Sequence, residues 1–381
     1  MKLGDVASII MGQAPPASSY NKQGIGVPFV KVAHFSTDYP EIVEWTDEPK
    51  KMAQEGDVLI CVVGNVGVTN LGIDAAIGRS VAAIRPDKEK ISQSFLRHFL
   101  KSKIFQLTHK GQGAIQKVLT SKVLSELNIP NIPIAEQTKI ASILDKADEI
   151  KQNSESTTKI RSKLVMSLFF ELFGDPITNP KSWQIVSVGT LLDDNYIIEI
   201  QDGNHGEIHP KVSDFVEIGI PFVAANALSG NRLNLDDCPR ISSNQGKDLR
   251  VGFSKGRDVI LTHKGTIGLS AVVPRNIDEI ILTPQTTYYR LNEDHVLPEY
   301  LCEYFKTQYF QKILAKEAKQ STRAYVGITR QRKLPVMLPE IDLQKKFNHI
   351  INQVDRSMEL IENFSQLSEL NSLSLIQEML T

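Results

Sequence analysis

The chain has 381 residues, 41% of them hydrophobic and 23% charged, with a net charge of −1. That balance is of a soluble globular protein with room for two or three domains, and the absence of any apolar run of about 18 residues excludes a membrane-spanning helix. Three cysteines, Cys61, Cys238 and Cys302, stand far apart without a CxxC, which suits a reducing cytoplasm and argues against a zinc site.

Leu3-Gly4-Asp5-Val6 opens a first region of mixed strands and helices, and Pro28-Phe29-Val30 leads a strand. The near-continuous apolar run from Asp57 to Val63 predicts a buried strand, turned by Gly64 to Gly67. Ser80 to Ile84 predicts another, ended by Pro86. Ser94 to Leu107 carries Phe95, Leu96, Phe99, Leu100 and Ile104 at helical spacing, and a loop from His109 to Gly113 follows. From Ala135 to Gly174 apolar residues recur in steps of three and four, at Ile140, Ile143/Leu144, Ala147 and Ile150, then Leu164/Val165, Leu168/Phe169 and Leu172. This predicts one long amphipathic helix of about 55 Å, stopped by Gly174-Asp175-Pro176.

Beyond a linker at Asp175 to Ser182 the same order returns. Val188-Gly189-Thr190-Leu191 matches Leu3 to Val6, Pro221-Phe222-Val223 matches Pro28 to Val30, and Gly265 to Gly268 matches Gly64 to Gly67. Asp258 to Thr262 and Thr286 to Leu291 are the strands, Pro298 to Ala315 the helix and Lys319 to Tyr325 the loop. A second long helix follows Pro339, with Phe347, Ile351, Val354, Met358, Ile361, Leu375 and Met379 on its stripe. Gln137 falls on Gln344, Leu144 on Ile351 and Asp148 on Asp355 at a constant offset of 207. The offset grows from 185 at the start of the repeat to 207 at its end, as insertions in surface loops would produce. The chain therefore reads as a tandem duplication of a globular module and a long helix. The expected class is α+β: two mixed α/β modules at 1–133 and 183–338, separated and joined by two long antiparallel, coiled-coil-like helices at 134–174 and 339–381. The repeat implies a pseudo-two-fold arrangement.

The neutral total conceals uneven charge. From Ile91 to Ser125 there is no acid and a charge of +6; from Lys306 to Lys333 the charge is +7; from Glu340 onward it is −4. A basic stretch in each half is the footprint of a phosphate-backbone binder. Duplex DNA has local two-fold axes, so duplicated modules of differing sequence suit a split, asymmetric site with unread base pairs between its parts.

Two motifs carry a family resemblance. Pro133 with Glu136-Gln137-Thr138-Lys139-Ile140 and Leu144 to Asp148 resembles the helical region of Type I restriction–modification specificity subunits, and Leu172 to Trp183 resembles that family's passage into its second recognition domain. The second helix departs from the pattern, with Leu343-Gln344 in place of Glu-Gln. The resemblance spans the chain and implies two target-recognition domains and no catalysis in this chain. Two methyltransferase subunits would dock on the helices' outward faces and use S-adenosylmethionine, and restriction subunits would use ATP and Mg to translocate and cut double-stranded DNA. The residues agree: there is no [NDS]PP[YF], no FxGxG and no GxxxxGK[ST]. His205 and His209 flank Glu207, but Gly203, Gly206 and Pro210 make this an ordinary polar loop rather than a metal helix.

The candidate DNA contacts lie in the loops before each long helix: Lys110, Gln112, Gln116 and Lys117, then Lys319, Gln320, Thr322, Arg323 and Arg330. The Gly-bracketed turns add Asn65, His263, Lys264 and Thr266. Gly111, Gly113, Gly265 and Gly268 are expected to serve backbone conformation. The main reading is a non-catalytic DNA-recognition subunit; a recognition half of a combined methylase–nuclease and a coiled-coil protein-binding scaffold are the alternatives.

Overall fold

A computed structural model describes the chain except residues 37, 65, 110–118, 206–207, 230–231, 320–323 and 381, and gives the backbone alone at 104–109, 155, 229, 232 and 376–380. The chain divides into two compact units. One holds residues 1–155 and 361–381, the other residues 156–360. The division falls within each long helix.

In the first unit a four-stranded antiparallel sheet is built from β1 (Ala7–Met11), β2 (Val58–Cys61), β3 (Thr69–Leu71) and β4 (Val81–Pro86), in the order β1-β4-β2-β3. β2 is buried along its whole length, as its unbroken Val-Leu-Ile-Cys run requires. A second sheet orders Tyr20–Asn21, Trp45–Thr46, Val27–Val30, Ala75–Ile77 and Met52–Ala53, with one parallel pairing, Phe29 opposite Ala76. Helix α1 (Gln93–His109) packs Phe95, Leu96, Phe99 and Leu100 into the core beneath the first sheet. The same core takes Ile140, Ala141 and Leu144 from the long helix α2 (Ile134–Phe173) and Leu375 from its later counterpart.

The second unit repeats this topology. Its four-stranded sheet is β5 (Ile197–Asp202), β6 (Val259–Lys264), β7 (Thr266–Val272) and β8 (Thr286–Leu291), in the order β5-β8-β6-β7. Its five-stranded sheet again has one parallel pairing, Phe222 opposite Ile281. The helix expected from Pro298 to Ala315 is two helices, α3 (Pro298–Lys306) and α4 (Gln308–Ala318). Thr307 breaks them. Its backbone is extended at ψ 144°, its hydroxyl donates to the Tyr304 carbonyl at 2.7 Å, and the same oxygen accepts the Phe310 N–H as the cap of α4. A short helix, α5 (Ile328–Gln331), precedes the long helix α6 (Ile341–Leu380).

The duplication is repeated in single hydrogen bonds. Gln137 is fully buried; its carbonyl accepts the Ser92 N–H, and its amide donates to the Lys90 and Ile132 carbonyls. Gln344 is likewise fully buried, accepting from Leu297 N–H and donating to the His295 and Pro339 carbonyls. Each glutamine ties the first turn of a long helix to the start of the module's own helix, satisfying backbone groups that burial would otherwise strand. In each module a buried aspartate also takes a two-pronged arginine: Asp57 with Arg85 at 2.8 and 3.0 Å, and Asp258 with Arg290 at 3.0 and 2.9 Å.

Within the second unit the segments of α2 and α6 run antiparallel. Phe173 and Phe169 meet Phe347, and Arg161 meets Asp355, so one numbering rises as the other falls. α2 ends at Gly174, whose φ of +82° and N–H to the Phe170 carbonyl make a left-handed cap. A Cβ there would stand 2.7 Å from the Pro180 ring. The 175–182 linker folds back on this end. The Lys181 ammonium donates to the Leu172 carbonyl at 2.6 Å, and the Trp183 indole donates to the Phe173 carbonyl. No helix among the described residues is long and apolar enough to cross a membrane.

Candidate nucleic-acid interface

In the second module the β6–β7 hairpin and the end of α4 converge. Gly265 turns the hairpin at φ +77° and leaves Lys264 and Thr266 exposed on either side of the tip. Gly268 lets the hairpin meet α4: the Gln311 amide donates to its carbonyl at 2.8 Å, and a Cβ on Gly268 would lie 2.2 Å from Gln311 Oε1. A cavity of about 530 Å³ is lined by Gly265, Ile267, Gln311, Ala315, Ala318, Lys319 and Ala324. Along α4 the exposed Lys312, Lys316 and Lys319 are spaced by four and three residues, so they share a face. Tyr325, 39% exposed, pairs its backbone with Lys264 beside the tip. Exposed cations on a rigid helix beside a hairpin tip suit contact with phosphate and base edges.

Residues 1–162 and again 197–371 match the family model described as the Type I restriction modification DNA specificity domain. The chain belongs to this family. It is 39% identical over 165 residues to a Methanocaldococcus jannaschii protein named as a type I restriction enzyme MjaX specificity subunit, covering 42% of this chain and 39% of that one. It is 20% identical to the type I restriction enzyme MjaVIII specificity subunit of the same organism, over 94% of this chain and 86% of that protein. The crystal structure of the Type I restriction–modification S subunit from M. genitalium has the same fold, with a TM-score of 0.59 at 15% identity over 100% of this chain and 95% of that one. The function of this specificity subunit is recognition of DNA.

Of the candidate contacts, the fold brings Lys264, Thr266 and Lys319 to the surface of one region. Arg330 is half-buried and donates to the Glu317 carbonyl at 2.9 Å, closing the end of α4. His263 is placed otherwise than expected. It is 1% exposed, with its ring beneath Tyr325 and 3.5 Å from Asp202, so it cannot reach a base edge. Its position inside the sheet follows from the register, in which β6 is paired on both sides. Asn65, Lys110, Gln112, Gln116, Lys117, Gln320, Thr322 and Arg323 lie outside the described residues. So does Glu207; of its flanking histidines, His205 bonds to the Gly203 carbonyl and His209 meets the Phe222 ring edge-on.

The charge of the basic stretches is partly neutralised by acids from elsewhere in each unit. Arg97 pairs with Asp38 at 2.6 Å and Lys101 with Asp148 at 3.0 Å. Lys306 pairs with Glu303 at 2.9 Å, and Arg332 lies 3.4 Å from Asp193. A count along the sequence therefore overstates the positive field. Lys312, Lys316 and Tyr325 were not among the sequence candidates. The lysines carried a legible signal in their helical spacing; Tyr325 carried none, because its place beside the hairpin tip is a long-range pairing.

Proposed function

We propose that this chain is the non-catalytic, DNA-naming component of a Type I restriction–modification complex and that its two modules each read one part of a bipartite, asymmetric site. The single observation that carries the reading is the repeated module, down to Gln137 and Gln344, combined with a differing sequence in each copy. Equivalent scaffolds with unlike readers suit two unlike half-sites, and a pseudo-two-fold relation between them would match the local symmetry of a duplex. The long helices would set the interval between the half-sites.

Docking of methyltransferase subunits falls to the outward side of α6. In its last turns the inward positions are the half-buried Glu362, Ser365, Ser368 and Ser372, while Phe364, Leu367, Leu370 and Leu373 are 56–63% exposed. Apolar residues turned outward along a helix are a seam for another helix. S-adenosylmethionine, ATP and Mg would be used by the methyltransferase and restriction subunits, in a cytoplasmic complex.

The test is selection of a randomised duplex library by the full chain assembled with its methyltransferase subunits. Enrichment of one motif in two fixed parts supports the reading. Methyl transfer by this chain alone would favour a combined enzyme, and binding without sequence preference would leave a protein scaffold.

A further inference from the structure

The strand registers of the two modules correspond around β2 and β6, and at one place the modules differ as a set. Ile60 faces Ala82 and Ala82 faces Met11; in the second copy Leu261 faces Thr287 and Thr287 faces Asp202. The Leu119 N–H donates to the Val62 carbonyl, as the Val326 N–H donates to that of His263. Leu127 bonds back to Leu124 as Leu334 does to Gln331. Thus Met11, Val62, Ala82, Ile84 and Leu124 occupy the places of Asp202, His263, Thr287, Tyr289 and Gln331. The first set belongs to an apolar core.

The second set is a connected polar network. The Tyr289 hydroxyl donates to Gln331 Oε1 at 2.6 Å, and Gln331 Nε2 donates to Thr287 Oγ1 at 2.8 Å. The Thr287 hydroxyl donates to Asp202 Oδ1 at 2.6 Å. His263 Nε2 stands 3.5 Å from the same carboxylate oxygen, and neither ring nitrogen makes a hydrogen bond of ordinary geometry among the described residues. The network ends toward the surface at Tyr325, whose phenol is raised above its usual range first by burial and then by the neighbouring Asp202 carboxylate. Burying polar groups costs free energy even when they are paired, and the first module shows that this scaffold packs without them. Packing therefore does not account for them; their common feature is the path from the core to Tyr325 and the Lys264 tip.

We propose that Asp202 and His263 are positioning residues that hold Tyr325 and the hairpin tip in the orientation needed for DNA, and that Tyr325 is itself a specificity-determining contact of the second module. This rests on DNA recognition by a bipartite subunit. Asp202 orients the phenol through its hydroxyl. His263 supports the ring from below, 5.3 Å between centroids, and its backbone carbonyl holds Val326. A phenol beside an exposed lysine offers a base both a hydrogen-bonding edge and an apolar face.

The experiment compares library selection by the full chain, with its methyltransferase subunits, for wild type, Asp202→Met/His263→Val, Asp202→Asn and Tyr325→Phe. The double variant installs the pair that the first module packs. Its melting temperature is expected to fall modestly, because the buried Thr287 hydroxyl loses its acceptor, while preference in one part of the motif falls about tenfold, the scale of a mismatched base pair, and the other part is unchanged. Asp202→Asn keeps a hydrogen-bonding side chain and is expected to rescue the preference. Tyr325→Phe is expected to lose it in the same part, and it decides the matter should the double variant fail to fold. Wild-type preference retained in both parts by the double variant and by Tyr325→Phe overturns the proposal alone. A wild type that enriches no motif overturns the DNA reading and this proposal together.

Discussion

Arg161 donates from Nε to Asp355 Oδ1 at 2.5 Å, bridging the two long helices within the second unit. The guanidinium is 8% exposed, and Asp355 holds it charged there against the cost of burial, which by itself would disfavour the charged form. Asp355→Ala should therefore destabilise this unit by about 2–3 kcal/mol, since it strands a buried cation. Arg161→Met with Asp355→Leu should recover most of that loss. Urea denaturation midpoints of the three chains check both outcomes.

His98 is buried on α1 with Nε2 2.7 Å from Asp145 of α2. Burial pushes its imidazole below the usual histidine range, and Asp145 only partly offsets this. Above about pH 6.5 both folded and unfolded forms are neutral; as pH falls, the unfolded chain takes up the proton first, so stability is lost below that value. His98→Gln should flatten the dependence. Unfolding midpoints at pH 7.5 and 5.5 that differ equally in both chains would refute this.

Lys316 and Lys319 share an exposed face beside the hairpin tip. Reversing both to glutamate should weaken DNA binding at least tenfold at low salt and reduce the slope of log affinity against log salt by about two. Unchanged affinity and slope, measured by salt titration of the assembled complex, would take this face out of the interface.

Phe364 and Leu367 lie on the outward side of α6, where substitution leaves the core untouched. Replacing both with glutamate should leave the melting temperature within about 1 °C of wild type, as surface changes usually do. It should also abolish co-purification with the methyltransferase subunits. Full retention of the complex would move docking to another surface.

Periodicity was enough to place the long helices. Their apolar steps put Phe169, Phe347 and Ile351 in the core, and the Gly-Asp-Pro stop ends α2 at Phe173. Ile361 illustrates where periodicity weakens: on the expected stripe, it is 39% exposed, because there the helix turns serines inward and leucines outward. The break at Thr307 was missed since threonine is compatible with a helix interior; its extended backbone is set by capping of α4. In the sequence His263 looks like a surface group, because it follows a buried strand and precedes a lysine at a glycine turn. One more residue of pairing carries β6 through it and encloses its ring.

By itself the sequence determined the duplication, the two long helices and the family, since each follows from local spacing or repeated motifs. Tertiary structure alone decided which basic residues are drawn into ion pairs and which buried polar groups meet. It also decided which loop residues share a surface. These depend on contacts between residues far apart in the chain: Asp38 reaches Arg97, and Asp202 reaches Thr287, only because sheet register and helix packing bring them together.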